Sequence, residues 1–306
     1  MKVLVMGAGG VGGFYAGVLN KHDHDITIVA RGEHAKTIKS NGLQIKSNHS
    51  GTFTTYPKVT AKPSKANTAE LILFCVKSYD NLGAINLISP SVGPETTILT
   101  LQNGIGSADI LNKHFGQSRV MLGATYIDAT KKKPGIIEET GDSPNIVFGT
   151  QDKNITPKAL DILEIFSKAD IPIELSENVI SALWEKLIYI CGWSGMICAT
   201  RTFFPEILET PEAEKMTISV LTEAYDVGRK KGANLNKTII TQILQKFRNV
   251  SGKPVSSMFT DLKQGNQLEI DVLNGAVSRI GKEVGIPTPA NDFITACLLI
   301  ADKAAR

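Results

Sequence analysis

Cysteine is scarce in this chain: four in 306 residues, at Cys75, Cys191, Cys198 and Cys297. They are too few and too scattered for a disulfide framework or a zinc site, and their apolar settings predict buried free thiols in a reducing compartment. Histidine is nearly as rare. His22, His24, His34, His49 and His114 lie in polar stretches, none with a carboxylate or nucleophile at a telling spacing, which predicts surface positions and no metal centre. No sign of charge dominates: 33 basic and 30 acidic residues leave a net charge of +3. That is too small and too dispersed an excess to indicate a nucleic acid or an anionic membrane as partner. Long apolar runs are missing as well. The N-terminal run ends after Met6, too soon for a signal peptide, and the stretch 187–199 is interrupted by Gly192, Ser194 and Gly195. It falls short of the ~20 residues a spanning helix needs. What remains is a soluble, cytoplasmic reading, with ordinary globular composition (42% apolar) and length for roughly two domains of about 150 residues.

The chain changes character partway along. Short β-rich runs at 3–6, 26–30, 71–76, 97–101 and 120–125 alternate with helical segments, the rhythm of a parallel sheet covered by helices. Runs at 135–139 and 145–149 are spaced like hairpin strands and predict an antiparallel extension of that sheet. A helix at 157–169 and a last strand at 172–175 follow. From about Ser176 the β signal disappears and helical segments carry the rest. Thr210-Pro211 reads as an N-cap with proline at the first helical position, Gly232 as a C-terminal stop, and helices at 256–264 and 269–284 end at Gly265 and Gly285.

Gly7-Ala8-Gly9-Gly10-Val11-Gly12 stands directly between the first strand and a helix. In this GxGxxG spacing Gly7 permits the tight turn, Gly9 admits a pyrophosphate to the backbone, and Gly12 allows close helix–strand packing. The helix N-terminus then offers unpaired N–H groups to phosphate. NAD binders usually end their second strand in Asp or Glu. Here it ends in Ala30-Arg31-Gly32, and Arg31 can make paired charge-assisted bonds to the 2′-phosphate of NADP. The alternative is a solvated loop arginine. Together these features predict an α/β Rossmann-type N-terminal domain with a mostly parallel sheet over 1–175, and an all-helical C-terminal domain over 176–306. Lys77 and Asn103 each close a strand, where ligands of open α/β sheets sit.

Lys186 is the most informative residue of the second half. At helical spacing it has Ala182, Leu183, Tyr189 and Ile190 around it, a poor description of a solvated face. A lysine so placed finds an anion, faces a cleft, loses its proton or snorkels to water. Further on, Ser256 or Ser257 could simply cap a helix, and Glu269 and Asp271 could be first-turn acids that favour its dipole.

In order, the glycine loop, Arg31, Val76-Lys77-Ser78, Gln102-Asn103-Gly104-Ile105-Gly106, Trp184-Glu185-Lys186-Leu187, Ser256-Ser257-Met258, Glu269-Ile270-Asp271 and the closing Gly285-Ile286-Pro287-Thr288-Pro289-Ala290-Asn291 resemble the ketopantoate reductase family over essentially the whole length. The resemblance implies an enzyme that reduces ketopantoate to pantoate with NADPH, for pantothenate and coenzyme A synthesis. It implies Lys186 as general acid and Glu269 beside it, holding the ammonium and a substrate hydroxyl. It implies Ser257 on the substrate carboxylate, and Asn103 and Lys77 lining the nicotinamide and substrate side. Ile190 and Ser194 stand where many members carry asparagine, and Pro254 where some do. These departures leave open a related (R)-2-hydroxyacid dehydrogenase for apolar branched 2-oxo acids. A non-catalytic NADPH-sensing module would keep the glycine loop and Arg31 but has no need of Lys186 and Glu269. Family members include dimers, and Phe203-Phe204 beside Pro205 could belong to a homodimer face of the helical half.

Overall fold

Strand β1 (Lys2–Met6) shows how the first half is layered. Its Val3 and Val5 enter one apolar core, while Leu4 and Met6 enter another. A strand whose alternate side chains are all apolar must be covered on both faces. The computed structural model describes residues 1–65, 68–141 and 143–304. After β1 the strands are β2 (Asp25–Val29), β3 (Leu43–Ser47), β4 (Gly51–Thr55), β5 (Lys58–Thr60), β6 (Ala69–Phe74), β7 (Val92–Thr100), β8 (Val120–Tyr126), β9 (Ala129–Lys133), β10 (Ile136–Glu139), β11 (Asn145–Gly149) and β12 (Ile173–Leu175). The helices are α1 (Gly10–Lys21), α2 (Gly32–Asn41), α3 (Asn81–Ile88), α4 (Ser107–Phe115), α5 (Pro157–Lys168), α6 (Val179–Thr200), α7 (Phe204–Glu209), α8 (Pro211–Lys230), α9 (Ile239–Arg248), α10 (Ser257–Gln264), α11 (Asn274–Val284) and α12 (Pro289–Ala304).

The main sheet has eight strands in the order β12-β11-β8-β7-β6-β1-β2-β5. Its pairs are parallel except β11 against β8. Helices α1 and α5 pack on one face, through Phe14, Val18 and Phe166, and α3 and α4 on the other, through Ile85, Ile88 and Leu111. This is the mostly parallel, doubly covered sheet that the alternating pattern predicts.

A second sheet, β4-β3-β10-β9, corrects the sequence reading. Residues 145–149 do extend the main sheet antiparallel, but 135–139 do not. They form β10, which pairs parallel with β3 and antiparallel with β9. The small sheet lies over α1, and glycines make the approach possible. A Cβ on Gly10 would stand 2.0 Å from the Ala129 carbonyl oxygen, and one on Gly13 or Gly17 would run into Ile137 or Ile45.

Two compact units divide the chain. One comprises Met1–Gln102 and Ser107–Val179, the other Asn103–Gly106 and Ile180–Arg306. The second unit is helical, as the loss of β signal after Ser176 predicts. Residues 191–198 of α6 are buried on every side, the pattern of a helix hydrophobic all round. The predicted helix over 269–284 is interrupted. A short 3₁₀ turn, Ile270–Val272, precedes α11, and Leu273 leaves helical geometry at ψ −116°. The break frees the Val272 carbonyl, which accepts a hydrogen bond from the Ile105 N–H at 2.9 Å. Thr210 begins α8 without a side-chain cap, because its hydroxyl donates back to the Glu206 carbonyl. Ser256 does cap α10, accepting from the Phe259 N–H, and Gly265 closes that helix in the left-handed conformation.

Candidate active site

The glycine loop is built from main chain. Gly7 has φ +106°, and a Cβ there would lie 2.8 Å from the Cys75 carbonyl group. Gly12 would put a Cβ 2.0 Å from the Gly7 carbonyl oxygen, so the helix can press on the strand only without one. Gly9 differs: a Cβ there meets nothing within 4 Å. Gly9 is also the N-cap of α1, with no side-chain cap and no acid in the first turn. Ala8 is buried beside it, while Val11 is half-buried. The first N–H groups of a helix have no intrahelical partner. Here they stand at an open, uncapped end, a donor set suited to a phosphate anion. Past β2, Arg31 is exposed at the N-cap of α2, and no acid ends that strand. These residues fit a dinucleotide.

A polar network fixes the ends of β6 and β7. The Gln102 amide donates to the Val76 carbonyl at 2.8 Å and to Asn81 Oδ1 at 2.7 Å. Asn81 in turn donates to Ser107 Oγ at 3.1 Å. Half-buried Lys77 follows the pinned Val76 carbonyl. The sequence marks Gln102 only as a neighbour of Asn103, without a role, and does not mark Asn81. Their signal was adjacency, one beside Asn103 and the other opening the helix after Lys77.

The histidine reading is corrected at His34. It is buried, not at the surface, because its ring bridges two backbone segments. The Gly135 N–H donates to Nδ1 at 2.9 Å, and Nε2 lies 2.9 Å from the Ala8 carbonyl oxygen. The thiols are free as expected, with Cys191 and Cys198 buried and Cys75 and Cys297 half-buried. Burial pushes Cys75 and Cys198 up to about 12, so neither is a nucleophilic thiolate at neutral pH.

In the helical unit the structure joins Lys186, Asn103 and Glu269. Asn103 belongs to this unit because Gly104 and Ile105 dock on Val272. Gly104 has φ +83°, and its Cβ would fall 2.1 Å from the Val272 carbonyl oxygen. This docking presents the Asn103 side chain to α6, where the Lys186 ammonium donates to Asn103 Oδ1 at 2.6 Å. Lys186 is half-buried. Desolvation pushes its pKa down to about 8, against the opposing pull of the Glu269 carboxylate, itself buried. Such an ammonium is protonated at neutral pH yet close to giving its proton away. Ile190, one turn on, is half-buried, and Ser194 is buried. Ser257 is exposed in the first turn of α10, beside the capping Ser256.

A phosphate-suited glycine loop at the head of a doubly covered parallel sheet, with a poised lysine in a helical unit, defines a nucleotide-binding oxidoreductase. Residues 3–153 match the family described as ketopantoate reductase PanE/ApbA, and residues 178–301 match the C-terminal part of the same family. The chain belongs to the ketopantoate reductase family. A 2-dehydropantoate 2-reductase of Aquifex aeolicus is 28% identical over 307 residues, covering 96% of this chain and 95% of that one. The crystal structure of a PanE/ApbA family ketopantoate reductase from Ralstonia eutropha superposes with a TM-score of 0.92 at 30% identity, over 100% of this chain and 99% of that one. D-mandelate dehydrogenase in a ternary complex with NADH and anilino(oxo)acetate has the same fold, with a TM-score of 0.91 at 23% identity over 100% and 99% of the two chains. Among the described residues, no helix is long and apolar enough to cross a membrane.

Proposed function

We propose that this chain reduces 2-dehydropantoate (ketopantoate) to (R)-pantoate with NADPH, a step of pantothenate and coenzyme A synthesis. The observation that carries the reading is the Lys186 ammonium, lowered to about 8 by burial and held at 2.6 Å on Asn103. A bound reduced nicotinamide supplies hydride to the carbonyl carbon. As that bond forms, the carbonyl π pair moves onto oxygen, and Lys186 donates its proton there. The neutral amine left behind is reprotonated from water. Asn103 aims the ammonium, and Glu269 keeps it charged until the substrate oxygen needs the proton, while also accepting from a substrate hydroxyl. Ser257, on the exposed first turn of α10, suits the substrate carboxylate. The residues from Gly7 to Gly12 hold the pyrophosphate, Arg31 pairs with the 2′-phosphate, and Lys77 lines the nicotinamide side. Four free thiols suit a cytoplasmic enzyme, and the helical unit is where a homodimer would form.

One observation favours a second reading. Ile190 stands one helical turn from Lys186 and offers no hydrogen bond to a hydroxyl. An (R)-2-hydroxyacid dehydrogenase for apolar branched 2-oxo acids would use the same acid and the same loop. The test is loss of NADPH absorbance on adding ketopantoate, ketoisovalerate or ketoisocaproate. Fastest turnover on ketopantoate supports the first reading, and faster turnover on the apolar acids supports the second. NADPH binding without turnover on any of them would identify a sensing module and overturn both.

A further inference from the structure

The two hydrogen bonds of the His34 ring define its protonation state. A backbone N–H can only donate, so Nδ1, which receives the Gly135 N–H at 2.9 Å, presents its lone pair. A carbonyl can only accept, so Nε2, 2.9 Å from the Ala8 oxygen, carries the proton. The imidazole is neutral and both of its nitrogens are used. It joins three segments: α2, of which it is part, the turn between β9 and β10, and the glycine loop.

We infer that His34 is a positioning residue for the glycine loop, fixing the Ala8–Gly9 peptide in the orientation that receives the cofactor pyrophosphate. This rests on the cofactor reading above. A peptide unit is planar and trans, so its C=O and N–H point opposite ways. Holding the Ala8 carbonyl on His34 therefore aims the Gly9 N–H away from the ring. Gly9 is the loop glycine whose Cβ position is open. Without the bridge this peptide is free to rotate, since glycine tolerates most backbone angles. The binding end of α1 would then lose the shape it keeps before cofactor arrives.

The bridge also has a polarity. A second proton on the ring would set an Nδ1–H against the Gly135 N–H and break that bond. Burial, and after it the charge of Lys131 on β9, hold the His34 pKa below its ordinary 6.5. On its own helix, Glu33 and Lys36 pair with each other at the surface. The bridge is thus intact at neutral pH and opens as pH falls below the ordinary histidine range.

Two substitutions test this. In His34→Gln the amide can donate to Ala8 and accept from Gly135 as the neutral ring does, and it does not titrate. His34→Leu keeps bulk and loses both bonds. In the cofactor-free protein, amide exchange at Gly135 should be about tenfold faster in the Leu variant and near wild type in the Gln variant. NADPH dissociation constants, read from nicotinamide fluorescence, should follow the same order, about tenfold weaker for Leu. Between neutral pH and about pH 4.5, below the ordinary histidine range, the wild type should lose affinity relative to His34→Gln, a comparison in which the titrating 2′-phosphate cancels. NADPH binding by His34→Leu as tight as wild type, or a Gln variant as weak as Leu, would overturn the proposal. If the Leu variant does not fold, parallel pH curves for wild type and His34→Gln overturn it instead. Wild-type protein that binds neither NADPH nor NADH would overturn the cofactor reading itself, while exchange at Gly135 still reports whether the bridge exists.

Discussion

At the glycine loop the working parts are main-chain groups and missing side chains. At Lys186 they are side chains drawn from separate segments, with Asn103 and the lysine 83 residues apart in sequence. The loop works by what is absent: Gly7, Gly10 and Gly12 each stand where a Cβ would strike backbone. The lysine works by what surrounds it: burial pushes its pKa down, and a carboxylate and an amide decide how far and in which direction it points. The first kind of site tolerates no added atom at those three positions. The second tolerates small changes of shape but no change of chemistry.

Removing the acid should have the largest effect. Lys186→Ala should lower turnover on ketopantoate by about 10²–10⁴-fold, the usual worth of a positioned general acid. NADPH affinity should change little, since the loop and Arg31 are untouched. Steady-state kinetics beside a cofactor titration measures both, and near-normal turnover would move the proton source elsewhere. Next comes an added atom at the loop. Gly10→Val drives side chain into the Ala129 carbonyl and should cost about 3 kcal/mol or more in a denaturant melt. Gly9→Ala should change stability by less than about 0.5 kcal/mol and yet weaken NADPH binding. If the two glycines behave alike in the melt, the loop is not divided into packing and binding positions.

Arg31→Ala should remove charge-assisted bonds worth about 1.5–3 kcal/mol each, weakening NADPH by at least about tenfold while sparing NADH. Equal weakening of both would show that Arg31 does not read the 2′-phosphate. The smallest effect is in pH. The reduction rate should fall to about half its neutral value near pH 8, as the Lys186 ammonium, lowered to about 8, gives up its proton. Stability should move oppositely. Because the folded pKa lies below the unfolded 10.5, the unfolded chain binds the extra proton between those values, and this group's contribution to stability rises with pH there. A Lys186→Met variant should lack that slope.

Sequence reading reached unequally into these regions. The main sheet was readable because Val3 to Met6 in β1 and Leu71 to Phe74 in β6 are continuous apolar runs, and the loop because glycine spacing is local. The small sheet was not. Its edge strand β9 reads Ala-Thr-Lys-Lys-Lys and is mostly exposed, so it shows no alternation of apolar and polar residues. Edge strands are commonly protected by lysine in this way. Lys186 was suspect from its apolar neighbours, but its bond to Asn103 depends on a Gly104–Val272 contact that no local pattern records. His34 was misread because the groups that bury it, Ala8 and Gly135, are distant in sequence and use only backbone.

The four residues Asn103–Gly106 also decide where this chain can be cut. A break after residue 175 looks natural, since strands end there and helices begin. The first fragment would nevertheless keep a segment that folds as part of the other half, with Gly104 and Ile105 seated on Val272. Neither piece would be complete. The N-terminal fragment would carry a loop with nothing to dock on, and the C-terminal fragment would lack the amide that holds its lysine. A split-protein reporter cut there would regain the Asn103–Lys186 bond only on reassembly, which makes that bond a sensitive mark of whether two halves have truly rejoined.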